Sequence, residues 1–192
     1  LTVSEVEANN VIKVYYVKDN FNYTVEYYYD GEKDTTKTDT IEATYQDVIN
    51  TYTDKNITGY KLEKAENLPL TVSEVEANNV IKVYYVKRTD LSYTVNYLEK
   101  GTINVLHEQK VVGNQTYGTV IKSSDEEITI DGYDYDSADK ETLTIGTGEN
   151  VINLYYTKRT DLSYTVNYLE KGTTNVLHEQ KVVGNQTYGT VI

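Results

Sequence analysis

The amino-acid sequence predicts a β-dominated chain, α+β at most, built from small modules repeated end to end in an elongated rod. Three observations predict it. Long blocks of the 192-residue sequence recur, two of them almost letter for letter. The recurring blocks are short, β-branched and alternating in character, which is the period of a strand. Finally, 21 tyrosines stand beside one phenylalanine and no tryptophan, a bias toward a residue that suits pleated, half-buried surfaces.

The repeats set the frame. LTVSEVEANNVIKVYYVK at Leu1–Lys18 returns unchanged at Leu70–Lys87. Arg88–Ile121 returns as Arg159–Ile192, with Ile103 replaced by Thr174. The chain therefore reads as the C-terminal part of a repeat (1–18), a full repeat (19–87), a second full repeat (88–158) and the N-terminal part of a further one (159–192). With no initiator Met, it reads as a fragment of a longer chain. Segments joining repeats, Asp19–Asn22 and Arg88–Ser92, are short and polar, which favours a semi-rigid rod over jointed beads.

Within a repeat the elements follow in order. YTVEY (Tyr23–Tyr27) and YTVNY (Tyr93–Tyr97) form the first strand, with Tyr23, Val25 and Tyr27 on one face and Thr24 and Glu26 on the other. Gly31 and Gly101 mark a hairpin turn. YQDVINTY (Tyr45–Tyr52) reads as a short helix or turn, although its counterpart at Tyr117–Ser124 carries a Gly and β-branched residues that weaken a helix. Strands are expected at Gly59-Tyr60 and Gly132-Tyr133, then at Leu70–Val72 and Leu143–Ile145. The loops Ser73–Asn79 and Gly146–Asn150 lead to a long last strand. There Ile81, Val83 and Tyr85, and likewise Ile152, Leu154 and Tyr156, face the core, opposite Lys82 or Asn153. Around 70 residues per repeat without a disulfide is a small core, so neighbouring repeats are expected to support one another.

Composition excludes several functions. Without cysteine there is no disulfide framework, thiol nucleophile or thiolate metal site. A net charge of −12 and a pI near 4.6 leave no basic patch for a nucleic acid. No apolar run nears the ~18 residues of a membrane span, and no signal peptide opens the chain. His107 and its copy His178, both in VLHEQK, read as ordinary surface histidines with no positioned partner for acid–base work, so no enzyme and no cofactor is expected. Asp131, Asp134, Asp136 and Asp139, preceded by Asp125, Glu126 and Glu127, lack the spacing of a calcium loop and read as a solvated acidic stretch. Lysine and asparagine are plentiful, yet no Lys–Asn–carboxylate trio for an isopeptide cross-link stands out.

Tyrosine carries the binding hypothesis. An apolar ring with a wet hydroxyl can stack on the C–H face of a sugar while neighbouring polar groups hold its hydroxyls. The tyrosines expected to face solvent are Tyr28, Tyr84, Tyr135 and Tyr155; for these, packing competes with glycan stacking. Tyr23, Tyr27, Tyr93 and Tyr97 belong to the core face.

In order and spacing, YTVNYLEKG, a later TYG, a mid-repeat GY and a closing VINLYYTK resemble the MucBP (mucin-binding protein) repeat of Gram-positive surface adhesins. The resemblance covers both full repeats and, by identity, both partial ones; YYYDGEKD and the Thr-rich stretch Thr35–Thr44 depart from the pattern. It implies β-grasp or ubiquitin-like modules on an extracellular, cell-wall-anchored protein, multivalent for host mucin or other glycoprotein glycans. A stalk that projects a separate binding domain is the alternative. The terminal pieces hold the last two and the first two strands of a repeat. Exposed strand edges seek partners, so end-to-end self-association is expected unless the true frame is permuted to begin near Leu1 and Leu70.

Overall fold

The computed structural model describes residues 2–192; Leu1, the first residue of the N-terminal piece, lies outside the described residues. Strands hold 51% of residues and helix only 5%, the latter as three short 3-10 turns among the described residues. The fold class is therefore β-dominated. The chain divides into two compact units, one running through Lys87 and one from Arg88 to Ile192.

In the first unit the strands are β1 (Asn20–Tyr29), β2 (Glu32–Lys33), β3 (Asp39–Thr44), β4 (Val48–Ile49), β5 (Tyr60–Glu66), β6 (Leu70–Thr71) and β7 (Val80–Lys87). The main sheet runs β2-β1-β7-β5, with β3 also pairing with β1. Strands β1 and β7, the first and last of the repeat, lie parallel at its centre, Val25 opposite Ile81 and Tyr27 opposite Val83. Alternation delivers the core that the sequence implies: Tyr23, Val25, Tyr27, Ile81, Val83 and Tyr85 are all buried.

The first 87 residues also show what sequence identity leaves undecided. Residues 70–87 form β6, a 3-10 turn and β7, whereas in the identical segment the described residues 2–18 form only the 3-10 turn Glu7–Asn9. Among these described residues neither of the two expected strands forms. Ile81 and Val83 are fully buried, yet their twins Ile12 and Val14 are 74% and 67% exposed. An edge without a neighbour has nothing to pair its backbone groups or bury its side chains.

Of the two readings of Tyr45–Tyr52, short helix or turn, the turn is the one realised. Gln46 adopts φ +67°, its amide donates to Val72 O at 2.9 Å, and Val72 returns a bond to Asp47 O at 2.9 Å. The chain turns sharply instead and enters β4, which pairs with β6. Gly118, φ +81°, holds the matching corner in the second unit, donating to Ile145 O at 2.8 Å.

The second unit contains β8 (Leu91–Glu99), β9 (Val105–Gln115), β10 (Val120–Lys122), β11 (Tyr133–Ala138), β12 (Thr142–Thr144), β13 (Val151–Lys158), β14 (Leu162–Leu169) and β15 (Val176–Gln186). Its sheet runs β11-β13-β8-β9, again with the last strand parallel to the first, and β10 pairs with β12. The hairpin β14–β15 forms a two-stranded sheet of its own.

Buried tyrosine hydroxyls fasten the crossover over each core. Tyr27 donates to Thr53 O at 2.6 Å and to Asp39 at 2.9 Å. Tyr85 donates to Asp54 and accepts from the Lys55 amide at 3.1 Å. The second unit repeats the device: Tyr93 donates to Glu126 Oε1 at 2.8 Å, and Tyr156 accepts from the Ile128 amide at 3.1 Å. Phenylalanine would fill these sites but leave the crossover untied, because a ring alone offers no polar end. Asparagine performs a parallel task in the loop before the last strand. Asn79 is fully buried, accepting from the Ser73 amide at 2.9 Å and donating to Ser73 O at 2.8 Å and Asn22 O at 3.2 Å. Asn150 holds Gly146 and Ser92 O in the same manner.

Candidate functional site

The four candidate tyrosines fall into three environments. Tyr28 and Tyr84 are register partners across β1 and β7, so the pleat points both side chains to the same outer face. Their rings stack with centroids 4.8 Å apart. Tyr28 donates to Glu26 at 2.7 Å and Tyr84 to Glu66 at 3.1 Å, while the Lys64 ammonium sits 4.8 Å from the centre of the Tyr84 ring. The Glu26 carboxylate, followed by loss of solvent, pushes the Tyr28 phenol up to about 12. Burial and then Glu66 raise Tyr84. These rings are half-buried and already engaged, so the expected solvent-facing pair forms a coat over the polar side of two parallel strands. Central parallel strands ordinarily have both faces covered, and here Tyr, Lys and Glu side chains supply the second cover.

Tyr155 is also half-buried rather than open to solvent, between its register neighbours Leu98 and Ser137. Tyr135 differs from the other three. It is 38% exposed, with its ring edge-on to buried Tyr156 at 5.7 Å, which fixes its orientation. Its hydroxyl makes no hydrogen bond among the described residues. On one side opens a cleft of about 440 Å³ lined by Lys122, Ser124, Glu127, Lys140 and Glu141. A second cleft of about 310 Å³, which shares Tyr135 and Glu127 with the first, is lined also by Thr129 and Asp134. Desolvation, and then Glu127, raise the Tyr135 phenol. Tyr135 and Tyr155 lie on opposite faces of the β11–β13 pair, since Tyr155 alternates with the core residue Tyr156. The structure thus brings Tyr28 and Tyr84 together and keeps the other two apart.

Repeat comparison adds a residue the sequence reading passed over. Leu62 occupies in the first unit the place of Tyr135, opposite Tyr85 as Tyr135 is opposite Tyr156, and is 46% exposed. The signal was present in the alignment of GYKL with GYDY. The two full repeats therefore present different surfaces at this position.

The remaining candidates are occupied in ordinary ways. His107 packs edge-on to Tyr97 at 5.4 Å, with Nδ1 2.9 Å from Glu108 O; His178 does likewise with Tyr168. Asp134 and Asp136 sit in β11 rather than in a loop. Asp136 pairs with Lys100 at 2.5 Å and Asp139 with Lys140 at 3.3 Å. No group of three or more His, Asp or Glu stands in metal-binding proximity among the described residues. Buried Glu126 meets Lys110 at 2.6 Å and Tyr93, an ion pair whose third member is a tyrosine and not an asparagine. Among the described residues no helix is long and apolar enough to cross a membrane.

The C-terminal hairpin is fastened to the repeat before it. Arg159 donates its amide to Gly132 O at 2.9 Å and accepts at its own carbonyl from the Tyr188 amide at 2.9 Å. The Tyr188 ring packs on Tyr133 at 5.7 Å and lies so close to Gly132 that an added Cβ would come within 2.3 Å of it. No protein-family model matches the chain, and no curated protein matches its sequence.

Proposed function

We propose that this chain is a non-catalytic tandem-repeat segment of an extracellular, cell-wall-anchored bacterial adhesin, whose β-grasp-like modules bind host mucin or other glycoprotein glycans. The single observation that carries the reading is Tyr135: a half-open ring of fixed orientation, with an unbonded hydroxyl, lining two clefts that also hold charged side chains. A sugar could lay its C–H face on that ring while Lys122, Glu127 or Lys140 take its hydroxyls. The MucBP-like order of blocks and the parallel pairing of first and last strands support the family and the β-grasp reading. A site this open is weak singly, and with Leu62 in the corresponding place of the first unit it occurs once in the two full repeats; multivalency would come from several copies of the chain on one surface.

Retention of the 192-residue chain on immobilised mucin, and its binding to a glycan array, test the reading. Tyr135→Ala should abolish binding and Tyr135→Phe weaken it, whereas Tyr84→Ala should leave it unchanged. Binding that survives Tyr135→Ala refutes this site. A blank array at every density refutes glycan binding by these repeats.

A stalk is the second reading. Its support is the seam in which Arg159 and Tyr188 close over Gly132 and Tyr133, because a fastened junction between successive repeats suits a spacer.

A further inference from the structure

The clefts beside Tyr135 carry more negative charge than positive. The larger is lined by Lys122, Lys140, Glu127 and Glu141, an even balance that the existing contacts upset. The Lys140 ammonium already donates to Val151 O at 2.6 Å and pairs with Asp139 at 3.3 Å, so Asp139 neutralises it. Among the described residues, the side chains of Lys122, Glu127 and Glu141 have no hydrogen bond or ion pair. The smaller cleft adds Asp134 to Glu127, with no lysine or arginine among its described lining residues. Arg159, which feels Asp134, is itself held by Asp161 through bonds of 3.0 and 2.8 Å. One unneutralised lysine therefore stands against three carboxylates.

The phenol registers the same imbalance. Desolvation comes first in raising the Tyr135 hydroxyl, and the carboxylates of Glu127 and Asp136 add to it. The chain as a whole, at a net charge of −12, biases the field in the same direction. Such a field discriminates among ligands. A carboxylate accepts strong hydrogen bonds from neutral hydroxyls, yet it repels an anion brought to the same ring. Glu127 lines both clefts together with Tyr135, so a sugar seated in either one meets that carboxylate.

Resting on the glycan reading of Tyr135 above, we infer that this site selects uncharged sugars, such as neutral hexoses, and rejects sugars that bear a carboxylate or a sulfate. The Tyr135 ring takes the C–H face of the sugar, and Glu127, joined by Glu141 in the larger cleft, accepts from its hydroxyls. Lys122 and Ser124 supply donors in that cleft. A sialylated or sulfated chain end brings the wrong charge to three carboxylates and one lysine, so a glycan that sheds those groups becomes the better ligand. Stacking on the ring is indifferent to salt, whereas the rejection is electrostatic and is screened by it.

Retention of the 192-residue chain on immobilised mucin before and after sialidase tests the inference, together with an array that presents each oligosaccharide in neutral, sialylated and sulfated forms. The neutral form should bind roughly tenfold more tightly than its anionic counterparts at low salt, and sialidase should raise retention. The gap should close as salt rises to about 0.5 M, where the Debye length is only a few ångströms. Glu127→Gln should narrow the gap at low salt, and Lys122→Ala should widen it. Both side chains are exposed and make no hydrogen bond among the described residues, so these variants leave the repeat folded. Anionic forms that bind as tightly as neutral ones overturn the inference while leaving Tyr135 as the glycan site. So does a preference that neither salt nor Glu127→Gln alters. A blank array in all three forms refutes glycan binding itself, and the selectivity falls with it.

Discussion

Tyr93→Phe isolates the energy with which a tyrosine hydroxyl ties down a crossover. The Glu126 carboxylate is 7% exposed and has two donors, Tyr93 at 2.8 Å and Lys110 at 2.6 Å. The lysine side chain is 48% exposed, so water screens that pair and its share is small. Tyr93 is the buried donor. Removing its hydroxyl leaves a charged acceptor short of one bond, a loss of about 2 kcal/mol, or roughly 30-fold in an opening equilibrium. Tyr97→Phe is the matched control on the same strand face. Its hydroxyl reaches only the Glu126 carbonyl, at 3.4 Å, a long and neutral contact worth ~0.5 kcal/mol, roughly twofold. Native-state hydrogen exchange at β8 and β13 amides is the suitable assay, because one denaturation midpoint does not describe a chain of two units. Equal acceleration in the two variants, or a larger one in Tyr97→Phe, would refute the assignment of the anchoring role to the Tyr93–Glu126 bond.

Two further predictions concern the seam and the tyrosines. Gly132 and Gly101 have φ +80° and +76°, so alanine at either should lose ~1–2 kcal/mol to left-handed strain. Only Gly132→Ala should also loosen Tyr188, read as faster exchange of its amide; identical behaviour would rule out the ring packing. In alkali, the Glu26 hydrogen bond pushes Tyr28, and desolvation pushes Tyr93, up to about 12. Their folded values lie above the unfolded value of ~10, so the stability they contribute is intact below that pH and is lost as pH rises through about 12. Tyrosinate absorbance should therefore finish rising only with loss of near-UV circular dichroism. Complete ionisation near pH ~10 with the fold intact would count against the buried bonds.

Much of the strand layout could be read in the sequence because alternation is a local property. Tyr23, Val25 and Tyr27, and Ile81, Val83 and Tyr85, declare their face without reference to any partner. What alternation cannot supply is the neighbour. It put Tyr28 and Tyr84 on the outer side, but only the parallel register of β1 and β7 stacks them and removes their open faces. Tyr135 was legible as exposed because it follows a Gly-Tyr corner near a strand edge. Its clefts were not, because they depend on how the flanking segments Lys122–Glu127 and Lys140–Glu141 fold back beside it, which alternation along one strand does not specify. Between the helix and the turn that Tyr45–Tyr52 allowed, local propensity was too weak to choose, and the bonds with Val72 decide for the turn. Residues 1–18 give the sharpest case, since the same letters make a strand at 70–87 only where β1 is present to receive it.

The parallel pairing of first and last strands also has a mechanical meaning. The chain enters each complete repeat at one end of its central strand pair and leaves from the other end. A pull on the two ends of β1–β7 or β8–β13 therefore slides the strands along each other. The bonds across the pair are strained together instead of being unzipped singly, and the repeat resists extension until most of them yield at once. Each such repeat would gain its tensile strength from connectivity alone.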